Sequence, residues 1–254
     1  MRINSKQQVL RYDKYDMSFQ EYIMYGLEGT LLLALFGYFF YRSVLITIIC
    51  FPIVLVFIRI KKRELCDKRK RELQIQFKDM LVSVNSSVRA GYSLENAFVE
   101  SYKDMIMFHG EGSIIARESK NIIKGLKNGV SITDLITNLG ERSQLSDIRD
   151  FAGILVIGKQ TGGRLVQMLD SYIRVSEEKV SALEEIDTII TAKKYEQKIM
   201  NIVPFFIIFY VEMTSKGFFD VLYSGVFGRI IMTGCLFLYM GSVYLSSRIT
   251  DIKI

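Results

Sequence analysis

Apolar positions along this chain follow two different rhythms. Long, nearly uncharged stretches occupy 22–60 and 199–245, while the residues between them are charged, with apolar side chains recurring every three to four positions. A helix needs about 20 apolar residues to cross a hydrocarbon core of roughly 30 Å. Between Glu21 and Arg42 the only charge is Glu28, so a span is expected there if that carboxyl sits at an interface or faces a partner. The uncharged run 43–58 follows at once, which predicts a hairpin turning at Arg42. The run 230–247, bracketed by Arg229 and Arg248, is the cleanest candidate. The run 199–211 is short, and reaches a spanning length only if Lys198 snorkels and the aromatic residues Phe205, Phe206, Phe209 and Tyr210 sit at membrane depth; otherwise it reads as a buried or re-entrant helix.

The central region has no proline and no alternating strand pattern, and its periodicity predicts six helices. Leu73, Phe77, Met80, Leu81, Val84 and Val88 form the first stripe, ended by Gly91 as a left-handed cap. Ser93 is suited to cap a second helix burying Leu94, Ala97, Phe98 and Ser101. A third, 113–128, turns Ile115, Ile122 and Leu126 inward and Lys120, Lys124 and Lys127 outward, with Gly129 as its stop. Ser131 and Asp134 resemble a capping box opening a fourth with Ile132, Leu135, Ile136 and Leu139. Ser146 would cap a fifth with Ile148, Phe151, Ala152 and Leu155 on one face, broken by Gly162 and Gly163. The sixth, with Leu165, Met168, Leu169, Tyr172 and Val175 and later Leu183, Ile186 and Ile190, is expected to run on toward the third span, its second half standing off as a stalk or packing on another subunit.

Charge sets the expected orientation. Arg59, Lys61, Lys62, Arg63, Lys68, Arg69, Lys70 and Arg71 follow the second span, and Lys193, Lys194 and Lys198 precede the third, which places the central region in the cytoplasm. Arg42 breaks the pattern; the segment 212–228, with Lys216 against Glu212 and Asp220, suits the outer face. No short apolar core ends in a small-residue cleavage site, so no removable signal peptide is expected. The fold expected is thus an all-α membrane protein with two transmembrane helical hairpins flanking one cytoplasmic six-helix bundle. Its parts are a cytoplasmic segment at 1–20, a first hairpin at 21–60, the cytoplasmic helical domain at 61–198, a second hairpin at 199–247 and a cytoplasmic tail at 248–254. Half of the 254 residues are hydrophobic and 24% are charged, which suits this mixture. The net charge of +6 is concentrated beside the expected spans, where anionic lipid headgroups account for it without invoking nucleic acid.

Candidate chemistry is sparse. Gly153, Gly158 and Lys159 fit the first part of a phosphate-binding loop, but Gln160 stands where a Ser or Thr is required and the intervening Ile154, Leu155, Val156 and Ile157 predict a helix. His109, the only histidine, is expected in a loop near Glu111, at the surface and without a Cys or Asp ligand set. The pairs Glu177 with Glu178 and Glu184 with Glu185 read as a solvated helix face rather than a cation site. Cys50, Cys66 and Cys235 are too scattered for a zinc site or a disulfide framework. No catalytic, cofactor-binding or metal-binding residue is assigned, and no enzymatic activity or cofactor is expected.

Two motifs carry a family resemblance. RAGYSLENAF at 89–98 resembles the first helical turn of the type II secretion system F domain, and GKQTGGRLVQMLDSY at 158–172 resembles its second signature, with Arg164 where small polar residues are common. NIVPFF at 201–206, GRIIM at 228–232 and SSRITDIKI at 246–254 are similar to the C-terminal part of TadB proteins, which assemble Flp-type pili. The resemblance implies an inner-membrane platform component, driven by a secretion ATPase, that lifts pilin subunits from the bilayer. It further implies a second, TadC-like F-domain protein, copies of the chain itself, or both, since one six-helix unit is seen without internal duplication. On that reading Gly91 with Tyr92 and Gly162 with Gly163 are joints, unless they are only helix caps. Glu28 and Glu212 are the membrane carboxyls open to a pilin N-terminus, unless they are simply interfacial. Two other classes compete: a membrane signal transducer, disfavoured by its small outer surface, and a transporter, disfavoured by four short spans and no visible inverted repeat.

Overall fold

The computed structural model describes Tyr12, Tyr15, 17–41, 52–161, 165–215, 217–220, Tyr223 and 225–250. Among these residues every regular element is helical: α1 Phe19–Tyr41, α2 Pro52–Arg89, α3 Leu94–His109, α4 Ile114–Lys127, α5 Ile132–Ser143, α6 Ser146–Thr161, α7 Leu165–Thr214 and α8 Val226–Thr250. The chain divides into two compact units, one built from Tyr12, Tyr15 and the described residues of 62–182, the other from those of 17–61 and 183–254.

The first unit is a helical bundle. Its core joins Leu73, Phe77, Met80, Leu81 and Val84 of α2 to Ala97, Phe98 and Met105 of α3, Ile115 and Ile122 of α4, Ile136 and Leu139 of α5, Ile148, Phe151 and Leu155 of α6, and Leu169 and Ile173 of α7. Six helices therefore contribute, as the periodicity predicts. Phe77, Phe151 and Tyr172 form its aromatic centre, with centroids 5.7 Å apart for the first pair and 5.6 Å for the second.

Helix ends follow local chemistry. The Ser93 hydroxyl accepts from Asn96 N–H, and Ser113 does the same for Ala116. Gly91, Gly110 and Gly129 all hold positive φ. Other ends depart from expectation. Ser131 precedes α5 with extended backbone but makes no side-chain cap bond, so the capping box with Asp134 does not form. Ser146 is the first residue of α6 rather than a cap before it, and its hydroxyl donates to Asp147 Oδ1; the left-handed Gln144 (φ 59°) ends the preceding helix. The first bundle helix is also not separate: α2 runs unbroken from Pro52, since 59–72 contains neither Gly nor Pro and is rich in Lys and Arg, both strong helix formers. The expected break at Gly162 and Gly163 lies outside the described residues, as do Arg42 and 43–51 of the expected second span.

In the second unit α1 packs on α8. Phe36, Phe205 and Tyr239 meet with centroids 5.1 to 5.7 Å apart, and the Tyr239 hydroxyl donates to the Asn201 carbonyl at 2.8 Å. Gly29 is buried, and a Cβ there would stand 3.2 Å from both Phe57 and Val54 side chains. Among the described residues one helix is long and apolar enough to cross a membrane, Phe227–Ile249 with mean hydropathy 1.5, and only 6% of its apolar window is buried within the chain.

Candidate coupling site along the second helix

α2 is the element to which the rest of the bundle is tied, and its ties are polar. Near its middle, Gln74 donates to Asp147 Oδ2 at 2.5 Å, while Lys179 of α7 donates to the other oxygen of that carboxylate and the Tyr172 hydroxyl to the Asp147 carbonyl. One α6 aspartate thus holds α2 and α7 together. Two residues on, buried Gln76 accepts from Ile115 N–H at 3.0 Å, satisfying a free donor in the first turn of α4. Ser83 donates to Asp104 of α3, and Asn85 and Arg89 both donate to Asp170 of α7 at 2.7 Å. Those donors, Arg89 first and then Asn85, hold the Asp170 carboxyl below its ordinary pKa, and Asp170 in turn raises that of Arg89.

The α2–α3 turn is consequently well determined. Gly91 N–H donates to the Val88 carbonyl and Tyr92 N–H to Ser87, the paired bonds of a Schellman ending. At Gly91 φ is +94° and a Cβ would meet nothing within 4 Å, so backbone conformation rather than space requires glycine. The Tyr92 side chain stands half exposed beside it.

A second cluster was not legible as a site. Tyr12, 1% exposed, donates to Glu118 Oε1 at 2.8 Å, and Arg142 grips both oxygens of the same carboxylate at 3.1 and 2.9 Å. Tyr12 N–H donates to the Arg142 carbonyl, Cys66 Sγ donates to the Tyr12 carbonyl, and the Arg69 guanidinium lies 5.2 Å from the ring centroids of both Tyr12 and Tyr15. Burial, and then the Glu118 charge, push the Tyr12 hydroxyl far above its ordinary pKa, which keeps it a donor. The signal available was Glu118 itself, one turn from Ile115 and from Ile122 on the inward stripe of α4.

The remaining sequence candidates are dispersed. Gly153, Gly158 and Lys159 lie within α6, and a Cβ on Gly158 would run into Leu165, so no phosphate loop forms. His109 is not in a loop: it is the last residue of α3, and its Nε2 lies 3.0 Å from Asp79 Oδ2 across the bundle, a partner 30 residues distant in sequence. Glu28 is exposed on α1 and Glu212 half-buried on α7. Glu177, Glu178, Glu184 and Glu185 are all exposed. Cys66 and Cys235 are free thiols, and Cys50 lies outside the described residues. Among the described residues no group of His, Cys, Asp and Glu is arranged to hold a metal. An open cleft of about 440 Å³ beside α3 and α4 is lined by Val99, Ile123, Leu126 and Val130 together with the polar Glu95, Asn96, Lys127 and Ser131. What these arrangements can do is hold helices in fixed relation and carry displacement from one to another. Compared with protein-family models, with curated proteins and with solved structures, the chain matches none.

Proposed function

We propose that this chain is a non-enzymatic, multi-pass component of an inner-membrane platform in a type II secretion or Tad (Flp-type) pilus machine. In it, a cytoplasmic secretion ATPase acts on the helical bundle, and the second unit works on pilin subunits within the bilayer. The single observation that carries the membrane assignment is the apolar surface of the second unit. Phe19, Leu27 and Leu31 on α1, Ile199, Phe206 and Tyr210 on α7, and Phe227, Phe237, Leu238 and Leu245 on α8 are each 60% or more exposed. Soluble monomers rarely leave contiguous apolar patches larger than a few hundred Å² in water, and lipid is the solvent that suits this one.

The cytoplasmic placement of the bundle rests on the basic residues at 59–71 and 193–198. The F-domain assignment is supported by the motif at 89–98, which forms the turn where α2 ends, and by Asp170 within the second motif, which the residues Asn85 and Arg89 bind. Motion of α3 would then reach α7 through α2 without any catalytic group. The signal-transducer reading shares this relay and has no observation of its own in its favour.

Photocrosslinking in living cells from position 92, followed by mass spectrometry, tests the reading. Capture of a secretion ATPase or of a second F-domain protein is the expected result. Capture of a kinase or of no protein, with the chain folded and abundant, would overturn it.

A further inference from the structure

The strongest feature that the proposed function does not use is the cleft beside α3 and α4, which has one basic wall. α4 is sharply two-sided: Ile115, Glu118, Ser119 and Ile122 are buried, while Arg117, Lys120, Lys124 and Lys127 are exposed along the opposite face. The one acidic residue of that helix, Glu118, is held inward by Arg142, which leaves the outer face wholly basic. Among the described residues Lys120, Lys124 and Lys127 carry no ion pair. The helix dipole accounts for cations in the last turn, where Lys124 and Lys127 lie, but not for Lys120 or Arg117 further back.

The basic row ends at the cleft, whose apolar lining is accessible. Val99 of α3 is 39% exposed, and Ile123, Leu126 and Val130 are half-buried beside buried Ile132. Its volume of about 440 Å³ falls within the roughly 300–1,000 Å³ of ligand pockets. Lys127 lines it from α4 and Glu95 from α3.

Recessed apolar side chains beside a row of lysines select the partner. A helix that lies in a lipid headgroup layer buries a protruding apolar face there, and α4 has no exposed large apolar residue. Glu95 in the cleft repels a polyanion such as nucleic acid. A helix with an apolar stripe and an acidic flank suits both parts of the surface: its apolar side chains enter the cleft, as in helix-in-groove recognition, while its carboxylates meet the lysines. Lys120 and Lys127 are seven residues apart, about 10.5 Å at 1.5 Å per residue, so acids two turns apart on the partner helix match them.

We propose that the cleft and the basic face of α4 dock an acidic amphipathic helix of another protein. The surface lies wholly within the first unit, and its use does not depend on the secretion reading.

The probe that tests it is a synthetic fluorescent peptide of about 18 residues, long enough to form a helix on binding, with leucines on one face and glutamates beside them. The full chain is held in nanodiscs of zwitterionic lipid, with empty nanodiscs as the blank, and binding is read by fluorescence anisotropy. Wild type should bind the peptide, and should bind a version with serine for leucine at least tenfold more weakly. Lys120→Glu, Lys124→Glu and Lys127→Glu together should weaken binding of the acidic peptide at least tenfold and create binding of its counterpart with lysine for glutamate, a gain that only a folded chain can show. Val99→Glu, which places a charge at the cleft from an exposed position, should also weaken binding at least tenfold. Arg149→Glu with Arg174→Glu, at exposed basic residues elsewhere in the bundle, should change it less than twofold. No binding by wild type, equal binding of the serine peptide, an equal loss in the Arg149 and Arg174 variant, or no gain by the charge-swapped pair while the chain keeps wild-type helicity by circular dichroism would each overturn the proposal. Capture of phosphatidylglycerol vesicles instead of the peptide, lost in the triple lysine variant, would assign the α4 face to a lipid surface and overturn it equally.

Discussion

At the scale of single residues, the arrangement most exposed to test is the carboxylate of Glu118, 3% exposed and shared by Arg142 and Tyr12. Removing one member of a buried ion pair costs about 3–5 kcal/mol because it strands the other charge. Glu118→Ala should therefore lower the melting temperature of the detergent-solubilised chain far more than Tyr12→Phe, which loses one hydrogen bond to a charged acceptor, about 1.5–3 kcal/mol. Equal effects would show that the ion pair is not what the site depends on. Asp170 gives a pH dependence whose sign is fixed. Its carboxyl is held below the ordinary value near 3.8 by Arg89 and then Asn85, so the folded state binds that proton less readily than the unfolded one. The contribution is complete above the ordinary value and disappears as the pH falls through the folded value. The difference in melting temperature between wild type and Asp170→Asn should be constant from about pH 7 to 5 and shrink below about pH 4. A difference that instead grows in acid would contradict the pairing. Neither cluster could be read from the chain, because its members are separated by 24 to 106 positions and a hydrogen bond between distant residues leaves no periodic trace. Glu118 was the exception that periodicity could have exposed, an acid on a buried stripe.

At the scale of elements, legibility followed locality. The bundle helices and the Gly91 ending were readable because cap residues and apolar period act within a few positions of the chain. The continuity of α2 was not, since apolar and basic stretches read as two elements although nothing between them breaks a helix. Close approach of helices was equally hidden, as glycine within a helix gives no sign of what it meets. Gly140 of α5 shows this: a Cβ there would lie 2.8 Å from Arg149 Cγ and 3.1 Å from its backbone nitrogen in α6. Backbone cannot withdraw as a side-chain tip can, so Gly140→Ala should cost about 1–3 kcal/mol by overpacking. Gly91→Ala should cost about 1–2 kcal/mol for a different reason, a positive φ in open space. A second substitution separates the two: Gly91→Asn, which tolerates left-handed backbone, should recover part of the loss, while Gly140→Asn should be worse than Gly140→Ala. Denaturant titration of the full chain reads both, and recovery at Gly140 would show that α5 and α6 are not in close contact.

At the scale of the whole molecule, one helix among the described residues, Phe227–Ile249, is long and apolar enough to cross a membrane, whereas the apolar parts of α1 and α7 carry Glu28 and Pro204 and were expected on context. Proline is tolerable inside a membrane helix because neighbours can supply lost hydrogen bonds, and here Tyr239 of α8 donates to the Asn201 carbonyl close by. A core helix is buried in its own chain, whereas the α8 window is 6% buried. Cys235, exposed and about a third of the way along that span, is the natural reporter. With Cys50→Ala and Cys66→Ser, the serine retaining a donor toward the Tyr12 carbonyl, it is the sole thiol. In sealed vesicles a membrane-impermeant maleimide should leave Cys235 unmodified whichever face is outward, and should modify it fully once the chain is denatured in dodecyl sulfate. Moving the sole thiol to Arg229→Cys or Arg248→Cys should restore labelling from opposite sides, since basic residues at both ends of the helix are expected at opposite headgroup layers. Labelling of Cys235 in intact vesicles as fast as after denaturation would place α8 in water, and would require a protein partner rather than lipid to cover its apolar surface.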